Sequence, residues 1–161
     1  MIVIDKTSKF GITWEVIEKV DDFFYGSINF IIDGELIPTS CPFNYTIGTV
    51  FWNLKNSFKE KEYPRGSKGD LGNRLIDYNK LDLGEELNIF QIETTEMGEK
   101  FGNDCKYGCT HLWLGYDDLE ERLIYSTDFN DTFREIRLPR DTVEKVIMSL
   151  PTKIQRTTKH P

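Results

Sequence analysis

Histidine is nearly missing from this sequence, and cysteine is scarce: two histidines and three cysteines occur in 161 residues. One of the two, His160, sits in the basic C-terminal stretch. Acid–base catalysis near neutral pH most often uses histidine, and nucleophilic or zinc chemistry leans on histidine and cysteine. The chain therefore lacks the parts on which most enzymes rely. Long apolar runs are missing too. No segment approaches the roughly 20 apolar residues of a membrane span, and Met1-Ile2-Val3-Ile4-Asp5 does not begin a secretory signal. An odd cysteine count (Cys41, Cys105, Cys109) fits reduced thiols better than a disulfide framework. Together these absences predict a cytoplasmic protein with no membrane contact.

What is present suits a packed domain with an acidic surface. Hydrophobic residues make up 39% of the chain, enough for one substantial core, and the formal net charge is −7. The charge is uneven. Thr152 to Pro161 carries Lys153, Arg156 and Lys159 and no acid. Without those three, 17 basic residues face 27 acidic ones, a balance of −10. Leu81 to Glu99 holds six acids and no base; Asp117 to Asp131 holds six acids against Arg122 alone. Such a body repels phosphate backbones, which argues against nucleic-acid binding and for a cationic protein partner. The expected organisation is one domain over residues 1–151 and a basic, mobile tail over 152–161, with Ile154 its sole large apolar residue.

Hydrophobic periods suggest the elements. Phe10, Ile12, Trp14 and Val16 alternate with Gly11, Thr13 and Glu15, and Phe24 to Ile32 alternates likewise, so two strands are expected with a hairpin at Val20 to Asp22. Asp33-Gly34 is a turn signal before a short strand, Glu35 to Ile37, stopped by Pro38. Ile47, Val50, Phe51, Leu54 and Phe58 fall at helical spacing, with Thr46 as N-cap, giving a helix over Ile47 to Lys59. Leu71 to Tyr78 is a second, weaker helix candidate. Strands are expected over Leu87 to Thr94, His111 to Tyr116, Arg122 to Thr127 and Phe133 to Leu138. Asp117 to Glu121 is read as an acidic hairpin connection. Asp141 is the expected cap of a last helix that buries Val143, Val146, Ile147 and Leu150. The fold class is α+β: an antiparallel sheet with two to three helices mainly on one face.

Few clusters carry chemistry. Cys105, Cys109 and His111, with Asp104, are the soft-ligand candidates for zinc, but no second ligand pair completes a usual tetrahedral set, so no metal is expected. A Cys109/His111 nucleophile pair lacks a third, orienting group. Gly66-Ser67-Lys68-Gly69-Asp70 lacks the spacing of a phosphate loop. Trp113, with His111 and Gly115, marks one face of its strand, either contact surface or a covered sheet face. Trp52 stands off the apolar stripe of its helix.

The opening Met1-Ile2-Val3-Ile4-Asp5-Lys6-Thr7-Ser8-Lys9-Phe10-Gly11-Ile12-Thr13-Trp14-Glu15-Val16 resembles the start of a bacterial immunity-protein family from polymorphic toxin loci. The Gly26 to Phe30 strand, the Asp33-Gly34 turn and the Phe51-Trp52 segment resemble it as well. The resemblance implies a non-catalytic protein without cofactor, from a setting such as a contact-dependent growth inhibition locus. It would bind the C-terminal domain of a toxin encoded beside it. With the charge, this points to a nuclease whose basic active-site surface is occluded. The expected contact residues are Asp117, Asp118, Glu120, Glu121, Asp128 and Asp131, since turns project into solvent. The competing function is a small hydrolase using carboxylates or a Cys/His zinc site. The oligomeric state is left open.

Overall fold

A computed structural model describes residues 1–38, 44–59, 70–83, 88–94, 96–97, 110–128 and 130–154. All three cysteines and the 98–108 loop lie outside the described residues, as does the Tyr63 to Gly69 loop. Among the described residues, nine strands form two antiparallel sheets. The α+β class stands; the strands divide between two sheets rather than sharing one.

The first sheet contains β1 (Ile2–Ile4), β2 (Phe10–Val20), β3 (Phe23–Ile32) and β4 (Glu35–Ile37) in that order, with β5 (Tyr45–Thr46) also on β3. β2 and β3 form the expected hairpin, and Asp33 and Gly34 both take positive φ in the next turn. Positive φ at both central residues is what a tight two-residue hairpin requires. The alternation holds as read: Phe10, Ile12 and Trp14 face inward with Ile28, Phe30 and Ile32.

α1 (Ile47–Lys59) buries its stripe Ile47, Val50, Phe51, Leu54 and Phe58. Phe51 meets Trp14 edge-on at 5.2 Å, and Phe58 meets Phe90 at 5.4 Å. These two contacts join the sheets, because Phe90 belongs to the second. That sheet runs β6 (Ile89–Ile92), β7 (His111–Asp117), β8 (Glu120–Ser126) and β9 (Arg134–Pro139). α2 (Thr142–Met148) buries Val143, Val146 and Ile147 in the same core, which both sheets share. Ile154 packs against that core as well, while Thr152 and Lys153 are exposed.

The second sheet is covered on both faces. Leu71, Ile76, Tyr78 and Phe133 lie over Ile89, Trp113 and Ile124 on the side away from the helices. Trp113 thus lies on a covered face. The helix expected over Leu71 to Tyr78 does not form; a 3-10 turn spans Tyr78–Leu83 instead. Gly72 takes φ +64°, and Arg122 binds the carbonyls of Gly72 and Arg74, which a helix would have needed. Gly115 lets this cover approach: a Cβ there would lie 2.8 Å from Leu71 Cδ2.

Gly26 meets a harder constraint. The β2–β3 register shifts between Val16 and Glu18, and the bulged backbone of β2 crosses Gly26. A Cβ at Gly26 would sit 1.8 Å from the Glu15 carbonyl oxygen, which backbone cannot vacate cheaply. Gly26→Ala is therefore expected to cost at least about 2 kcal/mol. Thermal unfolding should show a melting temperature lower by roughly 4–8 °C; an unchanged one would refute the packing at the bulge.

Candidate functional site

The six acids expected to bind a partner occupy two places on the second sheet, and the structure uses them unequally. The β7–β8 connection is tighter than the sequence suggests. β7 runs through Asp117 and β8 starts at Glu120, leaving a two-residue turn, Asp118-Leu119, with Asp118 at φ 48°. Extending both strands by pairing Asp117 with Glu120 adds backbone bonds that a five-residue loop would forgo.

That extension moves Glu121 inward. Its side chain is 0% exposed. Its carboxylate accepts the Asp141 amide at 2.9 Å and the Val143 amide at 2.6 Å. Glu121 therefore caps α2 from a neighbouring strand and is not on the contact surface. Asp141, the expected cap, takes a left-handed backbone, and its side chain makes no capping bond. The other end of α2 is held by Lys55 of α1, whose Nζ donates to the Leu150 carbonyl at 2.5 Å. An anion at the first turn and a cation past the last both suit the helix dipole.

Arg122, next along β8, points to the opposite face. It forks onto Glu135 at 2.6 and 2.8 Å and donates to the Gly72 and Arg74 carbonyls at 2.7 and 2.8 Å. The buried guanidinium is thus paired and anchors the cover segment.

Most of the remaining acids are also engaged. Arg137 on β9 pairs with Asp117 at 2.5 Å and Glu120 at 3.2 Å. Arg140 pairs with Asp70 at 2.9 Å, donates to the Asp118 carbonyl at 2.5 Å, and lies 4.5 Å from the Tyr116 ring centre. The side-chain bond from Arg140 holds the Asp70 carboxyl below its usual 3.8, against the opposing effect of burial. Burial alone would raise Asp128, but bonds from the Thr132 hydroxyl, the Thr132 amide and the Ser126 hydroxyl outweigh it and lower the carboxyl. Asp128 thereby closes its own turn. Asp118 and Asp131 project their carboxylates outward, Glu120 is half-exposed beside Arg137, and Leu119 stands 78% exposed at the turn tip. Counting acids along the chain could not find this, because Arg137 arrives from β9 across the sheet and Arg140 from the residue that follows β9.

His111 stacks on Trp113 at 5.9 Å. Its expected zinc partners Cys105 and Cys109 lie outside the described residues. Among the described residues, no helix is long and apolar enough to cross a membrane.

Residues 1–153 match the model of a protein family described as immunity protein 42. No curated protein matches the chain, and no solved structure does.

Two measurements check the polar anchors. Glu121→Ala leaves the buried Val143 amide and the part-buried Asp141 amide without this acceptor and is expected to cost roughly 2–4 kcal/mol in chemical denaturation; a neutral result would refute the capping role. Asp70→Asn tests the Arg140 pair by pH. A carboxyl lowered on folding stabilises fully above its unfolded value near 3.8 and loses that contribution as pH falls through the lower folded value. The wild type should be the more stable at pH 7, and the two unfolding curves should converge below about pH 3.8. A gap that persists in acid would mean packing, not charge, is lost.

Proposed function

The chain belongs to the immunity protein 42 family, and from that premise we propose that it inactivates a nuclease toxin by covering the basic surface that binds the substrate phosphates. Toxin neutralisation and a protein partner follow from membership, and the chain is not an enzyme. The hydrolase alternative falls with that. The nuclease, its C-terminal toxin domain and the occlusion mechanism are our reading, as is a cytoplasmic site of action, where a nuclease meets nucleic acid. A contact-dependent growth inhibition locus belongs to the same reading.

The observation that carries it is the charge. A net −7 on the chain, and −10 without its last ten residues, favours a partner that carries the opposite sign. A surface that binds nucleic-acid phosphates is strongly cationic, and an acidic inhibitor competes with nucleic acid for it. Asp118, Glu120 and Asp131 are the outward members of the six acids, and they supply long-range attraction. Glu121 does not contribute, since it is buried.

The experiment uses the toxin domain encoded beside this gene. Binding of the protein and of a labelled oligonucleotide to that domain should be mutually exclusive. Asp118→Lys, Glu120→Lys and Asp131→Lys together should slow association and flatten its dependence on ionic strength, with the melting temperature little changed. A ternary complex with nucleic acid would sink the occlusion mechanism, and an unchanged rate and salt slope would remove these three acids from it.

A further inference from the structure

The β2–β3 ribbon runs past the rest of its sheet. β1 follows one edge of β2 only as far as Thr13, with Met1 bonded to Trp14 beyond it. From Glu15 onward no described strand lies on that edge. β5 covers the β3 edge only at Tyr25 and Gly26. The hairpin past the bulge is therefore a two-stranded arm, and every residue from Ile17 to Phe23 is exposed.

The composition of this arm is unusual for an exposed ribbon. Ile17, Val20 and Phe23 are 54%, 50% and 56% exposed. Val20 and Phe23 are cross-strand partners, as are Glu18 and Tyr25, so the four side chains share a face. Around them lie Glu15, Asp21 and Asp22, and only Lys19 is basic; it sits over Phe24 on the other face at 5.4 Å. Among the described residues no basic side chain pairs with Glu15, Glu18, Asp21 or Asp22; Glu18 accepts from Asn44. Asp117 and Glu120 of the second sheet contrast with these, because Arg137 pairs with both. No described helix covers the face that the arm continues, which carries Ser27, Asn29 and Ile31 on β3.

We propose that the β2–β3 arm is the contact core for the toxin, with Val20, Phe23 and Tyr25 inserted into an apolar depression on a cationic domain and the four acids forming the rim. This rests on the toxin-binding reading above and adds where the contact lies. Four acids without a basic partner among the described residues favour a cationic partner. An aromatic and an aliphatic side chain projecting together supply the desolvated centre that interfaces need, and the acids exclude like-charged partners. The arm alone is smaller than a stable interface, and the half-buried face beside it, which no described helix covers, supplies further area.

The test measures binding of the full chain to the toxin domain encoded beside its gene. Val20→Ser with Phe23→Ala should raise the dissociation rate and weaken Kd at least about tenfold, with melting unchanged. Asp21→Lys with Asp22→Lys should act on the association rate and its salt dependence instead. Trp52→Ala, at the exposed aromatic of α1, should bind as wild type. In the unmodified protein, amide exchange over residues 17–25 should slow when the toxin is added, a readout that does not depend on any variant folding. Wild-type affinity in both arm variants, or unaltered exchange at the arm, would overturn the proposal while leaving toxin binding intact. A wild-type homodimer that Phe23→Ala dissolves would also overturn it, by assigning the arm to a second copy of this chain. Absence of any binding by the wild type would remove the toxin reading itself.

Discussion

Two adjacent residues of opposite charge, Glu121 and Arg122, hold the second half of the molecule together. A strand sends successive side chains to opposite faces, so one carboxylate enters the shared core and one guanidinium enters the layer behind it. Each would be costly alone. Glu121 is stabilised by the two helix amides it accepts, and Arg122 by Glu135 and two carbonyls. In return α2 is fixed against the core, and the segment from Leu71 is fixed over Trp113. A buried ion whose partner is removed is strongly destabilising, which makes this pair a constraint on every element it touches.

Local periods and turn chemistry were readable in the sequence wherever one element met one environment. The β2–β3 hairpin, α1 and the apolar side of α2 all follow this rule. What covers a face is not written in its period. Trp113 lies on a face closed by an irregular stretch with no repeating apolar signal, and the two sheets share a core that no local window can show. The largest difference in the site came from a small one in strand length. Starting β8 at Glu120 instead of Arg122 turns Glu121 from a loop acid into a buried cap. Arg137 reaches Asp117 and Glu120 across the sheet, and Arg140 reaches Asp70 from just beyond β9, contacts that linear charge counting omits.

The two sheets divide the work an inhibitor needs. The second is packed on both faces, and most of the six acids are engaged within it: Asp117 and Glu120 by Arg137, Glu121 by helix amides, and Asp128 by the hydroxyls and amide of its own turn. The first has one buried face and, among the described residues, a strand edge with no neighbour and acids with no basic partner beside exposed apolar side chains. Recognition on rigid elements keeps its geometry, while an unmatched surface keeps free energy in reserve for a partner. Among the described residues no group of three or more His, Cys, Asp or Glu side chains is placed to hold a metal ion.

The bulge over Gly26 separates two kinds of residue within a single hairpin. On one side, Trp14 and Ile28 are fixed by neighbours in the core. On the other, Ile17 to Phe23 fill no interior volume, so their identities are free of the packing that decides whether the chain folds. Mutational drift in the ribbon can then proceed without a stability penalty, provided the glycine at the seam stays. Such a chain can change what it recognises while its scaffold stands still, and two relatives can share nearly every buried position yet refuse each other's partners.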